Sequence, residues 1–310
     1  MTADARAPVS GMSVRFWGVR GSLPSPGPET IQYGGNTSCV EIRCGDELLI
    51  CDAGSGIRAL GAELISSHRQ ARITATLLVS HTHWDHIQGL PFFKPAYSAN
   101  HRIRVLGAAG HATKLRTGFN NQMEPIHFPV ALDQLRGLTG IEELEPHGAQ
   151  FGCFAVDTIE LRHPGGCAGF RISAAGSTVC YLPDHEPYTA AALRDDSAKA
   201  SEFAAAQNQL VEFVRGADLL ILDTQFDDHQ YNERVGWGHG SVRESVGLAL
   251  AAGVRTLALF HHDPEHDDAK LEAMATGARR CVSLAGGILE IRIARERERL
   301  LLSNRRALAA

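Results

Sequence analysis

Three histidines and an aspartate lie within six consecutive positions of this chain, in the segment HTHWDH. Imidazole nitrogens and carboxylate oxygens are ligands that zinc and related divalent ions use in proteins. The segment directly follows the apolar run ITATLLVS, and the carboxyl end of a strand is where α/β folds build their sites. One ion cannot use all four side chains of so short a turn. We therefore expect two adjacent ions, one held by His81 and His83 and the other by Asp85 and His86.

Ligand-type side chains also follow three other apolar runs. His163 follows DTIELR, Asp184 follows STVCYL, and the pair His261 and His262 follows TLALF. A single histidine at a strand end is more often an ordinary polar residue, but three such ends beside HTHWDH favour convergence on one site. Asp184 suits a bridging position because a carboxylate has two oxygens. Alternation along TLALF does not decide between His261 and His262.

These motifs resemble the metallo-β-lactamase superfamily, specifically the branch of ribonuclease Z and its small-substrate phosphodiesterase relatives. HTHWDH matches the HxHxDH motif of the superfamily, and RFWGVRGSLPSPGP with YGGNTSCVEI resembles the opening strands of that branch. The resemblance extends from about residue 13 to residue 291. It implies an α/β fold, a four-layer αββα sandwich in which helices flank two mixed sheets.

The resemblance also implies roles for individual residues. GHGSVRESVGLALAAGVRTLALFHHDP is similar to a ribonuclease Z segment in which His261, not His262, is the last metal ligand. In the same match His239 falls on the histidine that assists the leaving group, although the Thr of that turn is missing here. Asp52, in LLICDAGSG, falls on an aspartate that fixes the tautomer of a metal-site histidine. Asp223, in LLILDTQF, stands where the branch has His-Glu-Ala-Thr, so no role is carried over to it.

The implied site therefore has two sets of residues. Those with catalytic roles are Asp85, His239 and Asp52. The metal ligands are His81, His83, Asp85, His86, His163, Asp184 and His261. From the residue types alone, Asp52 could instead be a turn-forming residue and His239 a helix-start residue ahead of the Ser241 cap.

Two observations favour a small substrate. Ribonuclease Z-like proteins that process tRNA often carry a long arm between the positions of His163 and Asp184, and here those residues are only 21 positions apart. The formal net charge is −5 and no dense Lys/Arg run is present, whereas tRNA binding draws affinity from phosphate neutralisation. We expect a phosphodiesterase acting on a cyclic nucleotide or similar small phosphodiester, with no large nucleic acid and no membrane as partners.

The expected mechanism is attack on phosphorus by a hydroxide that bridges two divalent ions. Zinc suits the ligands, and Mn²⁺ or Fe²⁺ are alternatives. His239 would donate a proton to the leaving oxygen. Three other functions remain open: a tRNA 3′-end endonuclease, a thioester or other ester hydrolase, and a nucleotide sensor without turnover. The His239 turn argues against the ester hydrolase, and the complete ligand set argues against the sensor.

Three further segments are candidates for substrate or supporting contacts. The segment 118–130 offers Phe119 and Phe128 for base stacking, or is an ordinary loop with core phenylalanines. Its polar residues are Asn120, Asn121, Gln122 and His127. His185, Glu186 and Tyr188 lie next to the bridging aspartate and are candidates to support it. The segment 262–268 is better explained as a turn and helix start than as a third metal site.

Alternating strand and helix patterns predict the elements that position these residues. The strand candidates are 13–18, 38–44, 47–54, 73–80, 102–107, 157–162, 169–174, 177–182, 218–225 and 256–260. The helix candidates are 56–68, 87–94, 111–118, 130–136, 188–194, 199–215, 241–252 and 265–279. We expect a flexible tail at 1–12 and one hydrolase domain at 13–310.

Composition and the family resemblance indicate the cellular environment and oligomeric state to expect for the protein. The seven cysteines are scattered through apolar runs and are expected to be reduced, as in a cytoplasmic protein. Cys167, near a candidate ligand, is expected to be a packing residue. No apolar run is long enough to span a membrane, and the start lacks a secretory signal. The resemblance implies a homodimer.

Overall fold

Two sheets of seven strands form the interior of the protein. The computed structural model describes residues 11–68, 71–145, 147–188 and 197–302. The first sheet contains β1 (Met12–Gly18), β2 (Cys39–Cys44), β3 (Glu47–Cys51), β4 (Thr74–Val79), β5 (Arg102–Ala108), β6 (Leu138–Leu144) and β14 (Arg299–Leu302), in the order β14-β1-β2-β3-β4-β5-β6. Its strands are antiparallel from β14 to β3 and parallel from β3 to β6, so the sheet is mixed.

The second sheet is mixed in the same way. It contains β7 (Ala149–Phe151), β8 (Phe154–Leu161), β9 (Cys167–Ala174), β10 (Ser177–Leu182), β11 (Leu219–Asp223), β12 (Thr256–Phe260) and β13 (Glu290–Ile293), in the order β13-β12-β11-β10-β9-β8-β7. Strands β7 to β10 are antiparallel, and β10 to β13 are parallel. Because β8 and β10 both flank β9 in antiparallel pairs, β8 and β10 run in the same direction.

Helices cover the outer faces of the two sheets. Their bounds are α1 (Ile57–His68), α2 (Trp84–Ile87), α3 (Ala112–Gln122), α4 (Ser197–Val214), α5 (Asp228–Glu233), α6 (Val242–Ala251) and α7 (Asp268–Leu284). One apolar cluster joins α1 and α3 to the first sheet, and another joins α4, α6 and α7 to the second. A central cluster, including Phe16, Phe170 and Phe260, packs the sheets face to face. The four αββα layers confirm the predicted fold.

The structure corrects several predicted elements. All ten predicted strands are present, but β6, β7, β13 and β14 were not predicted. The helix expected at 87–94 is wrong, because α2 ends at Ile87 and a 3₁₀ turn at Leu90–Phe92 follows Gly89 and includes Pro91. The helix expected at 130–136 is only a 3₁₀ turn at Leu132–Gln134. The helix expected at 188–194 lies, apart from its first residue, outside the described residues.

The structure describes only the last two residues of the tail expected at 1–12. Residues 1–10 of the expected tail at 1–12 lie outside the described residues, and Met12 already belongs to β1. Among the described residues, none of the helices combines the length and apolar character needed to cross a lipid bilayer.

Candidate metal centre

The residues expected to meet lie at one end of the sandwich. Four of them follow the carboxyl ends of strands: His81 follows β4, His163 follows β8, Asp184 follows β10 and His261 follows β12. Strands β10 and β12 flank β11 in parallel, and β8 runs with them, so their carboxyl ends share one edge of the second sheet. The matching edge of the first sheet carries the segment 81–86.

One group of four ligand-type side chains contains both early histidines of the motif. The members are His81, His83, His163 and Asp184, whose nearest ligand atoms all lie within 4.8 Å of one another. Nε2 of His163 is 2.9 Å from Nδ1 of His83. Oδ2 of Asp184 is 3.6 Å from Nε2 of His163 and 3.7 Å from Nε2 of His81.

A second group of four shares Asp184 with the first. Its members are Asp85, His86, Asp184 and His261, again within 4.8 Å of one another. Oδ1 of Asp184 is 3.0 Å from Nε2 of His86 and 3.3 Å from Nε2 of His261. Thus one oxygen of Asp184 faces each group, which is the arrangement required of a carboxylate between two cations.

The donor set fits two divalent cations. Nε2 of His81, Nε2 of His86 and Oδ1 of Asp184 are buried and make no hydrogen bond of normal geometry with any described group. A buried polar atom without a partner costs about 1–3 kcal/mol, so three such atoms facing one another require compensation. Imidazole and carboxylate donors at this spacing would be compensated by bound cations.

Second hydrogen bonds orient the histidine rings toward Asp184. Nδ1 of His86 is 2.8 Å from the Asp52 carboxylate, and Nδ1 of His163 is 2.8 Å from the carbonyl oxygen of Gly238. Nδ1 of His261 is 3.1 Å from Oε1 of Gln225. In each ring Nε2 is therefore left to face the centre, as in metal sites where a partner on the other nitrogen fixes the tautomer.

Burial and neighbouring charges shift the pKa values of the ligand-type side chains. Burial opposes ionisation of Asp184, yet the imidazoles of His261 and His86 hold its pKa well below the usual range. Burial likewise opposes protonation of His261, but the carboxylates of Asp184 and Asp85 raise its pKa to about 9. Burial, together with the neighbouring His86, lowers the pKa of His81 well below its usual value. Burial also opposes protonation of His86, but Asp184, Asp85 and Asp52 hold its pKa well above the usual value. The carboxylate of Asp184 is thus anionic and ready to hold cations, whereas His261 and His86 must first lose a proton.

Asp52 supports the centre from a fully buried position. Its carboxylate accepts hydrogen bonds from the amide N–H of Ser80 at 2.7 Å, the Ser80 hydroxyl at 2.8 Å and the Tyr181 hydroxyl at 2.7 Å, in addition to His86. The Ser80 hydroxyl lies 3.1 Å from Nδ1 of His81. Asp52 therefore positions histidines of both groups. Neither Ser80 nor Tyr181 carried a signal in the sequence that would have identified it.

The loop after β1 also closes on the centre, which the sequence did not reveal. The amide N–H of Ser22 donates to Oδ2 of Asp85 at 2.8 Å. A Cβ on Gly21 would lie 2.4 Å from the imidazole of His261. The unusual segment RGSLPSPGP was the available signal, because a glycine beside a ligand permits close backbone approach.

Asp223 lies beside His239, although no role was assigned to it from the sequence. Its Oδ2 is 2.9 Å from Nδ1 of His239, and it also accepts hydrogen bonds from the amides of His185 and Gln225. Asp223, His239 and His261 form a third group with metal-ligand spacing. Because the Asp223 carboxylate already has three donors, the pair is better explained as a carboxylate that orients an imidazole. The ring of His239 lies 5.0 Å from that of His261, at the edge of the second group.

Several candidate residues lie away from the centre. Nε2 of His262 donates to the carbonyl oxygen of Ala294 at 3.0 Å, and His262 belongs to none of the three groups. Phe119 is fully buried, so it cannot stack on a base, and Phe128 packs against Phe92. Cys167 is buried in the core, and burial raises the pKa of its thiol well above the usual value.

Several of the remaining candidates pack or hydrogen-bond within the fold. His185 is buried against Tyr188, with 5.2 Å between ring centres, and Glu186 accepts from the amide of Gly236. In the segment 262–268, Asp267 caps α7 by accepting from the amide of Lys270. That segment is therefore a helix start, as expected. Asn120, Asn121 and His127 are exposed, and Gln122 donates to the carbonyl oxygen of Ile87.

Comparison with known proteins places this centre in a family. The β-lactamase superfamily domain matches residues 48–262, and the chain belongs to that family. Ribonuclease Z of Thermoplasma acidophilum is 24% identical over 84% of this chain and 89% of its own length. The metallo-β-lactamase fold protein YhfI from Bacillus subtilis has a similar fold, with a TM-score of 0.65, 21% identity and coverage of 94% of this chain and 100% of that chain. A diphosphatase from the PhnP family has a TM-score of 0.62, 14% identity and coverage of 94% and 98%.

The class of the protein follows from the family and the fold. The chain is a metal-dependent hydrolase of the metallo-β-lactamase superfamily, in the ribonuclease Z branch. This fold implies two divalent ions, and the described His/Asp groups share one carboxylate, as two ions would require.

Proposed function

We propose that this hydrolase is a phosphodiesterase with two metal ions, and that its substrate is a small phosphodiester such as a cyclic nucleotide. The observation that carries the proposal is the pair of ligand groups joined by Asp184, with the Asp223–His239 pair at their edge. Two cations a few ångströms apart suit phosphoryl transfer, because both the attacking and the leaving oxygen need charge stabilisation. We take residues 13–310 as one hydrolase domain.

The proposed ligands divide between the groups. One ion would be held by His81, His83 and His163. The other ion would be held by Asp85, His86 and His261. Asp184 would bind both ions. We propose Zn²⁺, because five of the seven donors are imidazoles. When bound, such ions lower the pKa of a coordinated water and offset negative charge on phosphoryl oxygens.

Protein side chains would supply the rest of the chemistry. Asp223 holds Nδ1 of His239, which leaves Nε2 as the nitrogen that can donate a proton to the departing oxygen. Ser22 fixes Asp85 through its amide, and Asp52 fixes His86. These contacts hold the ligands in place before substrate binds, so that little reorganisation is required during the reaction.

The connection between His163 and Asp184 supports a small substrate. This stretch is filled by the antiparallel pair β9 and β10, which are joined by a tight turn between Ala174 and Ser177. No extended arm emerges between these two proposed ligands, within a stretch that the structure describes completely. A substrate as large as tRNA would lack that gripping element here.

A tRNA 3′-end endonuclease is the second candidate, because relatives such as the Thermoplasma protein are named ribonuclease Z. A direct assay separates the two functions. Metal-loaded protein should hydrolyse 3′,5′-cyclic AMP, a cyclic dinucleotide or bis(4-nitrophenyl) phosphate, and should leave precursor tRNA and a thioester intact. Cleavage of precursor tRNA at its 3′ end without turnover of small diesters would establish the second function instead.

A further inference from the structure

Arg234, directly after α5, lies close to two aromatic rings. Its guanidinium carbon is 5.3 Å from the ring centre of Phe226 and 5.8 Å from that of Trp237, both within the range of cation–π attraction. Phe226 is buried, whereas Trp237 is 62% exposed. The guanidinium is therefore held in place at a surface that solutes can reach.

This surface adjoins the metal centre. The ring of Phe226 meets the ring of His239 edge-on, with 6.0 Å between their centres, so a single ring separates the guanidinium from the proposed proton donor. The segment that carries Arg234 and Trp237 is tied to a proposed metal ligand, because the carbonyl oxygen of Gly238 accepts from His163. Arg234 is thus fixed relative to the site where the scissile group would bind.

The guanidinium is not used by an acidic partner. In the part of the chain that the structure describes, its one hydrogen bond is a long contact of 3.4 Å to the carbonyl oxygen of Gln230, and it takes part in no ion pair. The carboxylates of Asp227 and Asp228, at the start of α5, pair instead with Lys270 and Arg243. A guanidinium has five N–H donors in a fork that matches phosphate oxygens. An arginine in this state can bind an anion without first breaking an ion pair.

We propose that Arg234 binds a second phosphate group of the substrate while the scissile diester lies at the metal centre. The exposed face of Trp237 would stack on a nucleobase between the two phosphates. This inference rests on the proposed phosphodiesterase function and narrows its substrate class. A cyclic mononucleotide has one phosphate, so dinucleotides and longer or terminally phosphorylated diesters fit better.

Matched substrates test the proposal. Diadenylate with a 5′-phosphate (pApA) differs from ApA only in the second phosphate. A charge-assisted hydrogen bond contributes about 1.5–3 kcal/mol, so we expect metal-loaded wild-type protein to prefer pApA about 10–100-fold in kcat/KM, through KM. Arg234→Met should abolish the preference and leave ApA unchanged. Arg243→Met is the matched control, because Arg243 is exposed nearby and paired with Asp228 at 3.0 Å; it should retain the preference.

The trinucleotide ApApA tests whether the second phosphate can itself be a diester. If ApApA replaces pApA as the preferred substrate and the preference still depends on Arg234, the bound group is a second diester. Equal losses on pApA and ApA in Arg234→Met would overturn the proposal.

Binding of adenosine 3′,5′-bisphosphate and of AMP, followed by tryptophan fluorescence, requires no turnover. The protein could prefer the bisphosphate through Arg234 and yet hydrolyse no diester. That result would refute the proposed phosphodiesterase function but support the phosphate-binding role of Arg234. Equal binding of both nucleotides by wild-type and Arg234→Met protein would overturn the subsite.

Discussion

Oδ2 of Asp223 lies 2.9 Å from Nδ1 of His239, and the imidazole thus held stacks beside the ring of His261. A carboxylate on one nitrogen of an imidazole fixes the orientation of the ring and directs its other nitrogen. The pair therefore has the properties of an oriented proton donor at the edge of the metal centre.

Replacement of His239 should separate catalysis from metal binding. His239→Ala should lower kcat by about 10²–10⁴-fold, the usual contribution of general acid catalysis, while both ions remain bound. Asp223→Asn should lower kcat in the same direction. The measurement is kcat together with metal content on the same samples, with exposed His229→Ala as the control. Loss of metal from His239→Ala would make His239 a ligand.

Asp52 is expected to control metal affinity through His86. Asp52→Asn keeps the size of the side chain but weakens the contact to Nδ1 of His86, which is 2.8 Å from the carboxylate. Loss of such a supporting contact commonly costs about 10–100-fold in metal affinity. Competition with a chelator measures it. Unchanged affinity in a folded Asp52→Asn protein would show that His86 does not need this partner.

The approach of Gly21 to His261 predicts an effect of one methyl group. Gly21→Ala would place a Cβ 2.4 Å from the imidazole, so the loop or the ring must move. We expect weaker binding at the group that contains Asp85, His86 and His261, seen as loss of about one ion per chain at limiting metal. Gly27→Ala, in the same loop, meets nothing within 4 Å and should behave as wild type. Equal metal retention by both variants would refute the predicted clash.

Metal uptake should release protons. In the metal-free protein the pKa of His261 is about 9, since Asp184 and Asp85 outweigh the effect of burial. Below that pH the imidazole of His261 is protonated, so a cation must displace a proton, and affinity should rise as the pH increases toward about 9. His86 adds to the release, because the carboxylates of Asp184, Asp85 and Asp52 hold its pKa well above the usual value despite burial. Calorimetry at pH 7 in buffers of different ionisation enthalpy counts the protons. Identical heats in all buffers would contradict the expected release.

The edges of the sheets explain which strands the sequence failed to predict. The four missed strands, β6, β7, β13 and β14, occupy the four outer positions of the two sheets. Central strands such as β11 are buried along their whole length and form continuous apolar runs. An edge strand such as β6 has exposed polar residues between its apolar ones, so its composition resembles that of a loop.

In the candidate site, too, some residues could be predicted from the sequence and others could not. Ligand-type residues at strand ends could be found from sequence, because a polar side chain directly after an apolar run has a distinct pattern. The contacts of Ser22, Tyr181 and Gln225 could not, because each depends on segments far apart in the chain and on common residue types. Asp223 was passed over because its segment departs from the related motif, although its carboxylate takes a position beside His239.

If two cations joined by Asp184 make this chain a phosphodiesterase, activity must follow their binding. Metal-free protein should be titrated with Zn²⁺ while hydrolysis of bis(4-nitrophenyl) phosphate and bound metal are followed together. We predict no hydrolysis without metal and a rise in activity that ends at two ions per chain, with Asp184→Asn failing to reach it. Full activity at one ion per chain, or hydrolysis that persists after the metal is removed, would show that the reaction does not need the two-cation centre.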